Sequence, residues 1–257
     1  MPLRPPTKFW LPKAGNRTDE YEDASRALYP QRIGTSGRGL ARVAVTDGAS
    51  DAAFAREWAN VLVDAFVSRT PDLDGLSPES LSGWLEPAQD EWHDQVPWDR
   101  IPWHGEAKAR AGAFATLLGL TIGASSPRTN RFSWQAMAIG DCCLFIVRDD
   151  RLQVSFPLEA HAEFDNNPAL VCSNPTSVEG LWEEVRQDSG ECVAGDLIIV
   201  ATDAIAAWFL AQNAIEKKPW ETLAELQSSV WDDWVAEQRR EGLMRNDDTT
   251  VVIIEVS

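Results

Sequence analysis

Two short apolar runs, far apart in the chain, end in the same way. Val43-Ala44-Val45-Thr46-Asp47-Gly48 is β-branched, brief and followed by small residues, so it reads as a buried strand running into an Asp-Gly turn. Leu197-Ile198-Ile199-Val200-Ala201-Thr202-Asp203-Ala204 repeats the pattern: an apolar strand, then Thr-Asp, then a small residue. Any fold of this chain must bury both strands and bring the Asp at the end of each to the rim of a sheet. The glycine beside Asp47 lets the backbone come close to whatever that carboxylate holds. A third acidic knot, Asn246-Asp247-Asp248-Thr249-Thr250, stands just before the last apolar run, Val251 to Ile254. Carboxylates at three strand ends suit a hard divalent cation such as magnesium or manganese. Such ions take oxygen ligands, few of them from protein and the rest from water.

The other elements are spread along the chain without repeats or low-complexity segments, which favours one domain over residues 1–257. Residues 1–12, rich in Pro, Lys and Arg, read as an irregular arm. Phe54, Trp58, Leu62 and Phe66 recur every four residues, with Val61 and Ala65 widening the stripe, and predict an amphipathic helix over about 52–67. Ser77-Pro78-Glu79 supplies an N-cap with Pro at the first helical position of a helix reaching Trp92 or His93, where Pro87 is a possible break. Pro97, Pro102 and Trp103 read as irregular structure. Small apolar residues from Gly112 fit a central strand, and strands follow at 132–139, 142–147 and 152–156, joined by Gly140-Asp141 and Asp149-Asp150 turns. Pro157 to Asp196 reads mostly as loop. Helices are expected over 204–213 and, as one long element with Leu223, Leu226, Val230 and Trp234 buried, over 219–240.

Composition removes some function classes. With 40 acidic and 23 basic residues the formal charge is −17, which repels nucleic acid and anionic membranes. The opening Met1-Pro2-Leu3-Arg4-Pro5-Pro6 has no apolar core of a signal peptide, and no run approaches a membrane span, so a cytoplasmic protein is expected. Cys142, Cys143, Cys172 and Cys192 form no Cys-x-x-Cys pair and read as reduced structural thiols. His93 and His104 have no metal-ligand spacing around them. Most of the twelve tryptophans should fill cores.

Six motifs then stand in a particular order: Glu22-Asp23, Asp47-Gly48, Gly112-Ala113-Phe114-Ala115-Thr116, Gly140-Asp141, Thr202-Asp203 and Asp247-Asp248-Thr249-Thr250. From about residue 13 to the C-terminus this order resembles the metal-dependent protein phosphatase family, also called protein phosphatase 2C, in a divergent, bacterial-type form. The resemblance implies an α+β fold, a four-layer αββα sandwich of two antiparallel sheets flanked by helices. It implies two magnesium or manganese ions, bridged by Asp47, with the Gly48 carbonyl on one and Asp203 and Asp247 on the other. Asp141 would join Asp203 at a third, weaker ion. Glu22, Asp23 and Asp248 would stand behind these ligands, and Arg17 would grip the phosphate. Arg17 lies one residue further from Asp23 than the family spacing, so Lys13 or Arg26 could substitute for it. Many eukaryotic members carry a His where this chain has Ala49, and Ala204 follows Asp203 in place of glycine. The implied activity is hydrolysis of phosphoserine or phosphothreonine in a protein by a metal-activated water, with no covalent phosphoenzyme. A cognate kinase would act in opposition, and a flap between about 148 and 195 would set specificity. The alternatives are a catalytically weak module that binds a phosphorylated partner and a small-molecule phosphatase.

Overall fold

The computed structural model describes residues 4–29, 40–124, 131–165, 167–175 and 180–256. Two five-stranded sheets, antiparallel throughout, form its centre. One has the order β1 (Thr7–Leu11), β12 (Thr249–Glu255), β11 (Leu197–Ala201), β7 (Cys143–Arg148), β8 (Arg151–Phe156). The other has the order β10 (Arg186–Val193), β6 (Arg131–Ile139), β5 (Leu117–Ala124), β3 (Ala41–Thr46), β2 (Ala24–Leu28). A two-residue pair, β4 (Phe114–Ala115) with β9 (Val171–Cys172), lies apart from both.

Period-two alternation explains why the central strands read as unbroken apolar runs. Val43 and Val45 of β3, Ile198 and Val200 of β11, and Val252 and Ile254 of β12 share one buried core between the sheets. The residues between them face outward but are covered by helices. Ala44 packs under α1 (Ala55–Ser68) and α2 (Pro78–Gln95), whose Trp58, Leu62, Phe66 and Leu85 fill the layer. Ile199, Val251 and Ile253 pack under α4 (Asp203–Ala214), α5 (Pro219–Glu225) and α6 (Trp231–Arg240) through Phe209, Leu223 and Val235. The four layers are therefore helix, sheet, sheet, helix. Gly119 in β5 is required by this packing: a Cβ there would lie 2.1 Å from the ring of Phe66.

Several expectations need correction. The arm over 1–12 is not irregular, since Thr7–Leu11 is an edge strand on β12, with Phe9 buried and stacked on Trp231 at 5.0 Å. Pro and charge are tolerated there because an edge strand leaves one row of backbone groups free. Met1–Leu3 lie outside the described residues. Pro102-Trp103 begins a helix, α3 (Trp103–Arg110), with Pro at its N-cap. The stretch 157–196 holds β10, a polar edge strand without hydrophobic alternation, and the short β9; residues 166 and 176–179 lie outside the described ones. The helix over 219–240 is two. The chain turns extended at Leu226, Val230 is 48% exposed, and Trp231 and Val235, four apart, supply the buried face of α6. By contrast, Ser77 does cap α2, accepting the Ser80 N–H, and Pro87 leaves that helix unbroken to Gln95. The four cysteines are free and buried.

Candidate active site

The loops that leave the strands at one rim bring the acidic motifs together. Asp47 follows β3, Asp141 sits in the turn between β6 and β7, Asp203 opens α4 directly after β11, and Asp247 precedes β12. These four and Gly48 line one cavity of about 640 Å³. Sequence separations of up to 200 residues are closed by the pairing of β11 with both β7 and β12 in one sheet and by the packing of that sheet on the one that carries β3.

Each member is fixed from behind. The Asp47 N–H donates to Thr116 Oγ1 at 3.0 Å, and the Thr116 N–H donates back to the Asp47 carbonyl at 2.9 Å. Gly48 admits no side chain, because a Cβ would lie 2.8 Å from the Glu22 carbonyl oxygen. Asp23 is buried. One of its oxygens accepts hydroxyl hydrogen bonds from Thr202 and Thr250, each at 2.9 Å, and the other has no partner among the described residues. Tyr21 Oη in turn pairs with Thr250 Oγ1. Asp248 accepts the backbone N–H groups of Lys13 (2.8 Å) and Glu22 (2.7 Å), tying the N-terminal segment to the entrance of β12. Lys13 Nζ donates to Ser50 Oγ at 2.8 Å, and the Ser50 hydroxyl donates to Glu22.

The electrostatics are those of crowded, poorly compensated carboxyls. Burial, then repulsion from Asp141 and Asp247, raises Asp203 to about 7, against the opposing pull of the Ala204 N–H and Arg245. Asp141 is raised to about 6, chiefly by burial. Asp47 opens partly onto the cavity, yet its carboxyl is pushed well above the usual range by desolvation and by Asp23, Asp203, Asp247 and Asp141. Burial and Asp248 act on Asp23 in the same direction. Glu22 is raised by burial, with Ser50 and Lys13 working against the shift.

This arrangement fits a hard cation. One oxygen each of Asp141 and Asp203 is buried without a hydrogen-bond partner among the described residues, and both residues line the cavity. Every donor is a carboxylate or a carbonyl, with no soft ligand among them. Among the described residues no three Asp, Glu, His or Cys side chains close around a single point. The carboxylates ring a space instead, as suits ions that keep several waters.

A family model described as Protein phosphatase 2C matches residues 27–245. The chain belongs to the protein phosphatase 2C family. That match takes in Asp47, Asp141 and Asp203 but starts after Asp23 and stops before Asp247. Solved structures agree in fold. The chain is similar to the Mycobacterium tuberculosis serine/threonine phosphatase PstP/Ppp, with a TM-score of 0.58 and 17% identity over 99% of each chain. Serine/threonine phosphatase Stp1 from Staphylococcus aureus gives 0.57 and 13% identity, over 99% of this chain and 95% of that one. The photosystem II phosphatase PBCP gives 0.55 and 14% identity over 98% of each. No curated protein matches the sequence. At such identities the likeness is one of architecture, and the αββα sandwich of this phosphatase-family member is the shared feature.

The remaining site residues are distributed as follows. Glu22, Asp23 and Asp248 do not themselves line the cavity, and Glu22 accepts the hydroxyl of Ser50, which does. Arg17 does not line the cavity: its side chain is 75% exposed and pairs with Asp19 at 3.0 Å and Glu20 at 3.6 Å. Arg26 is held by Asp64 at 2.7 Å. Sequence reasoning did not find Lys108, Asp165 or Arg245, which do line the cavity. Arg245 was within reach, two residues before Asp247. Lys108 was not, because it rides on α3, a helix with little amphipathic pattern.

Proposed function

We propose that this chain is a serine/threonine phosphoprotein phosphatase dependent on magnesium or manganese. The observation that carries the reading is the convergence of Asp47, Asp141, Asp203 and Asp247 on one cavity, with buried carboxylate oxygens left unpaired, inside a protein phosphatase 2C fold. Asp47, the Gly48 carbonyl, Asp203 and Asp247 would hold two ions, and Asp141 with Asp203 a third. Once bound, the ions would supply a water of lowered pKa and positive charge against the phosphoryl oxygens.

The chain's own residues do the positioning. Thr116 fixes the Asp47 backbone on both sides, so its carboxyl is presented without reorganisation. Asp23, seated by two hydroxyls, and Glu22, seated by Ser50, orient solvent from behind the ligands. Ala49 offers no proton at the position where many eukaryotic members carry His, so the leaving alkoxide would take its proton from a water. Cys142 is not a nucleophile: it is buried, and desolvation holds its thiol far above the range in which a thiolate forms. The expected substrate is a phosphorylated protein, opposed by a kinase in the same cytoplasmic compartment. No helix among the described residues is long and apolar enough to cross a membrane.

The test is hydrolysis of an aryl phosphate by purified protein with manganese, with and without chelator, beside Asp47→Asn. Turnover that needs metal and disappears in the variant supports the reading. Metal binding by calorimetry without turnover would replace it with a phosphate-recognising module, and absence of both would refute the metal site.

A further inference from the structure

A phosphoryl dianion needs a fixed cation with several donors, and the basic residues nearest the motifs are engaged elsewhere. Arg17 faces Asp19 and Glu20 in solvent, Lys13 donates to Ser50, and Arg26 is bidentate on Asp64. Arg239 donates to the backbone carbonyls of Pro12 and Asp247. The cavity itself carries six carboxylates, on Asp47, Asp51, Asp141, Asp165, Asp203 and Asp247, and two cations, Lys108 and Arg245.

Of the two cations, Arg245 is the one held in place. It lies between buried Met244 and Asn246, whose side-chain oxygen accepts the Ala14 N–H at 2.7 Å. Its guanidinium is touched from two sides only loosely. Nη1 is 3.7 Å from Asp203 Oδ2, and Nη2 reaches the Phe164 carbonyl at 3.4 Å. Most of its five N–H donors are therefore free to turn toward an anion. Its partner Asp203 is a ligand on the reading above, and a cation there would take over that carboxylate and release the guanidinium. Lys108, on the last turn of α3, is exposed and has no hydrogen-bond or ion-pair partner among the described residues, so it is a less defined donor.

We propose that Arg245, not Arg17, grips the phosphoryl group of the substrate, through the planar fork that matches two phosphate oxygens at once. The role rests on the phosphatase reading. It also brings Phe164 to the edge of the substrate site, because its carbonyl is one of the groups that the guanidinium loosely touches.

The decisive measurement is inorganic phosphate binding to manganese-loaded protein by calorimetry, for the full chain and for Arg245→Met, Arg245→Lys and Arg17→Met. KM and kcat on a phosphoserine peptide are measured in parallel, and manganese affinity as a control. Loss of one or two charge-assisted hydrogen bonds should weaken phosphate about ten- to a hundredfold in Arg245→Met. Arg245→Lys should recover part of it, Arg17→Met should stay within about twofold, and the peptide KM should follow phosphate affinity. Manganese affinity should hold or rise in Arg245→Met, which a merely misfolded site would not show. Unchanged phosphate binding in Arg245→Met, its loss in Arg17→Met, or no phosphate binding by the parent protein would each overturn the proposal. A parent that turns nothing over, yet loses phosphate binding in Arg245→Met, would sink the phosphatase reading and leave the anion site standing.

Discussion

Replacing Asp203 with Asn should stabilise the metal-free protein, and more so as the pH rises. Asp203 is buried, one of its oxygens has no partner among the described residues, and its carboxyl is raised from 3.8 to about 7. The unfolded chain loses that proton near pH 4 and the folded chain only near pH 7. Between the two the unfolded state binds fewer protons, so stability falls as pH rises through this window and the full penalty is present above about pH 8. The shift corresponds to about 4 kcal/mol, of which roughly two-thirds, ~2–3 kcal/mol, accrues between pH 5 and pH 8. Asn keeps the shape and carries no charge, so the penalty vanishes. The favourable pull of the Ala204 N–H in the first turn of α4 is already contained in this net shift. At about 2–4 °C per kcal/mol for a chain of this size, the melting-point advantage of the variant in chelator at pH 8 should exceed its value at pH 5 by roughly 5–10 °C. Intrinsic tryptophan fluorescence during heating reads this directly. Manganese at pH 8 should raise the melting point of the parent and raise that of Asp203→Asn much less. An advantage that does not change with pH, or a variant less stable than the parent at pH 8, would show that Asp203 is not an uncompensated buried acid.

Two further perturbations test the scaffold. Gly119→Ala puts a methyl 2.1 Å from the Phe66 ring and should cost about 1–3 kcal/mol in urea denaturation, with Phe66→Leu recovering part of the loss; an unchanged midpoint would mean that the helix layer floats on the sheet. Asp248→Ala leaves the Lys13 and Glu22 amides without their acceptor and should cost about 2–4 kcal/mol, with faster hydrogen exchange at those two amides; Asp248→Asn, which keeps one acceptor oxygen, should retain part of the protection.

What the sequence made legible was local. The central strands declared themselves because both faces are buried, and the Asp at the end of each was visible because it interrupts an apolar run. Helix α1 was readable from one stripe, Trp58, Leu62 and Phe66, all fully buried. The parts that escaped lack such a pattern. β1 and β10 are edge strands whose exposed charges hide the pairing, and α3 buries only Ala109. The break after Leu226 went unseen because Leu223, Leu226 and Val230 continue a helical spacing that tertiary contacts overrule. Arg17 was carried over from the family resemblance, and in the structure its side chain pairs with Asp19 and Glu20 and does not line the cavity.

The position of the site follows from where the inter-sheet core stops. In β11 the residues facing the other sheet are Ile198 and Val200, and the next of that parity is Thr202. In β12 they are Ile254 and Val252, and the next is Thr250. At the same rim of the same sheet, both stripes therefore change from aliphatic to hydroxyl. Those two hydroxyls are the donors that meet Asp23, which enters from the opposite sheet just before β2. Asp23 is thus a polar plug at the end of an apolar interface, and its charge adds to the field on Asp47 in front of it. A buried carboxylate held by only two donors weakens the fold unless a cation shares its surroundings. On the proposed metal-dependent reading positive charge would complete this rim, and the cluster was hidden from a linear reading because Asp23 lies 179 and 227 residues from its two partners.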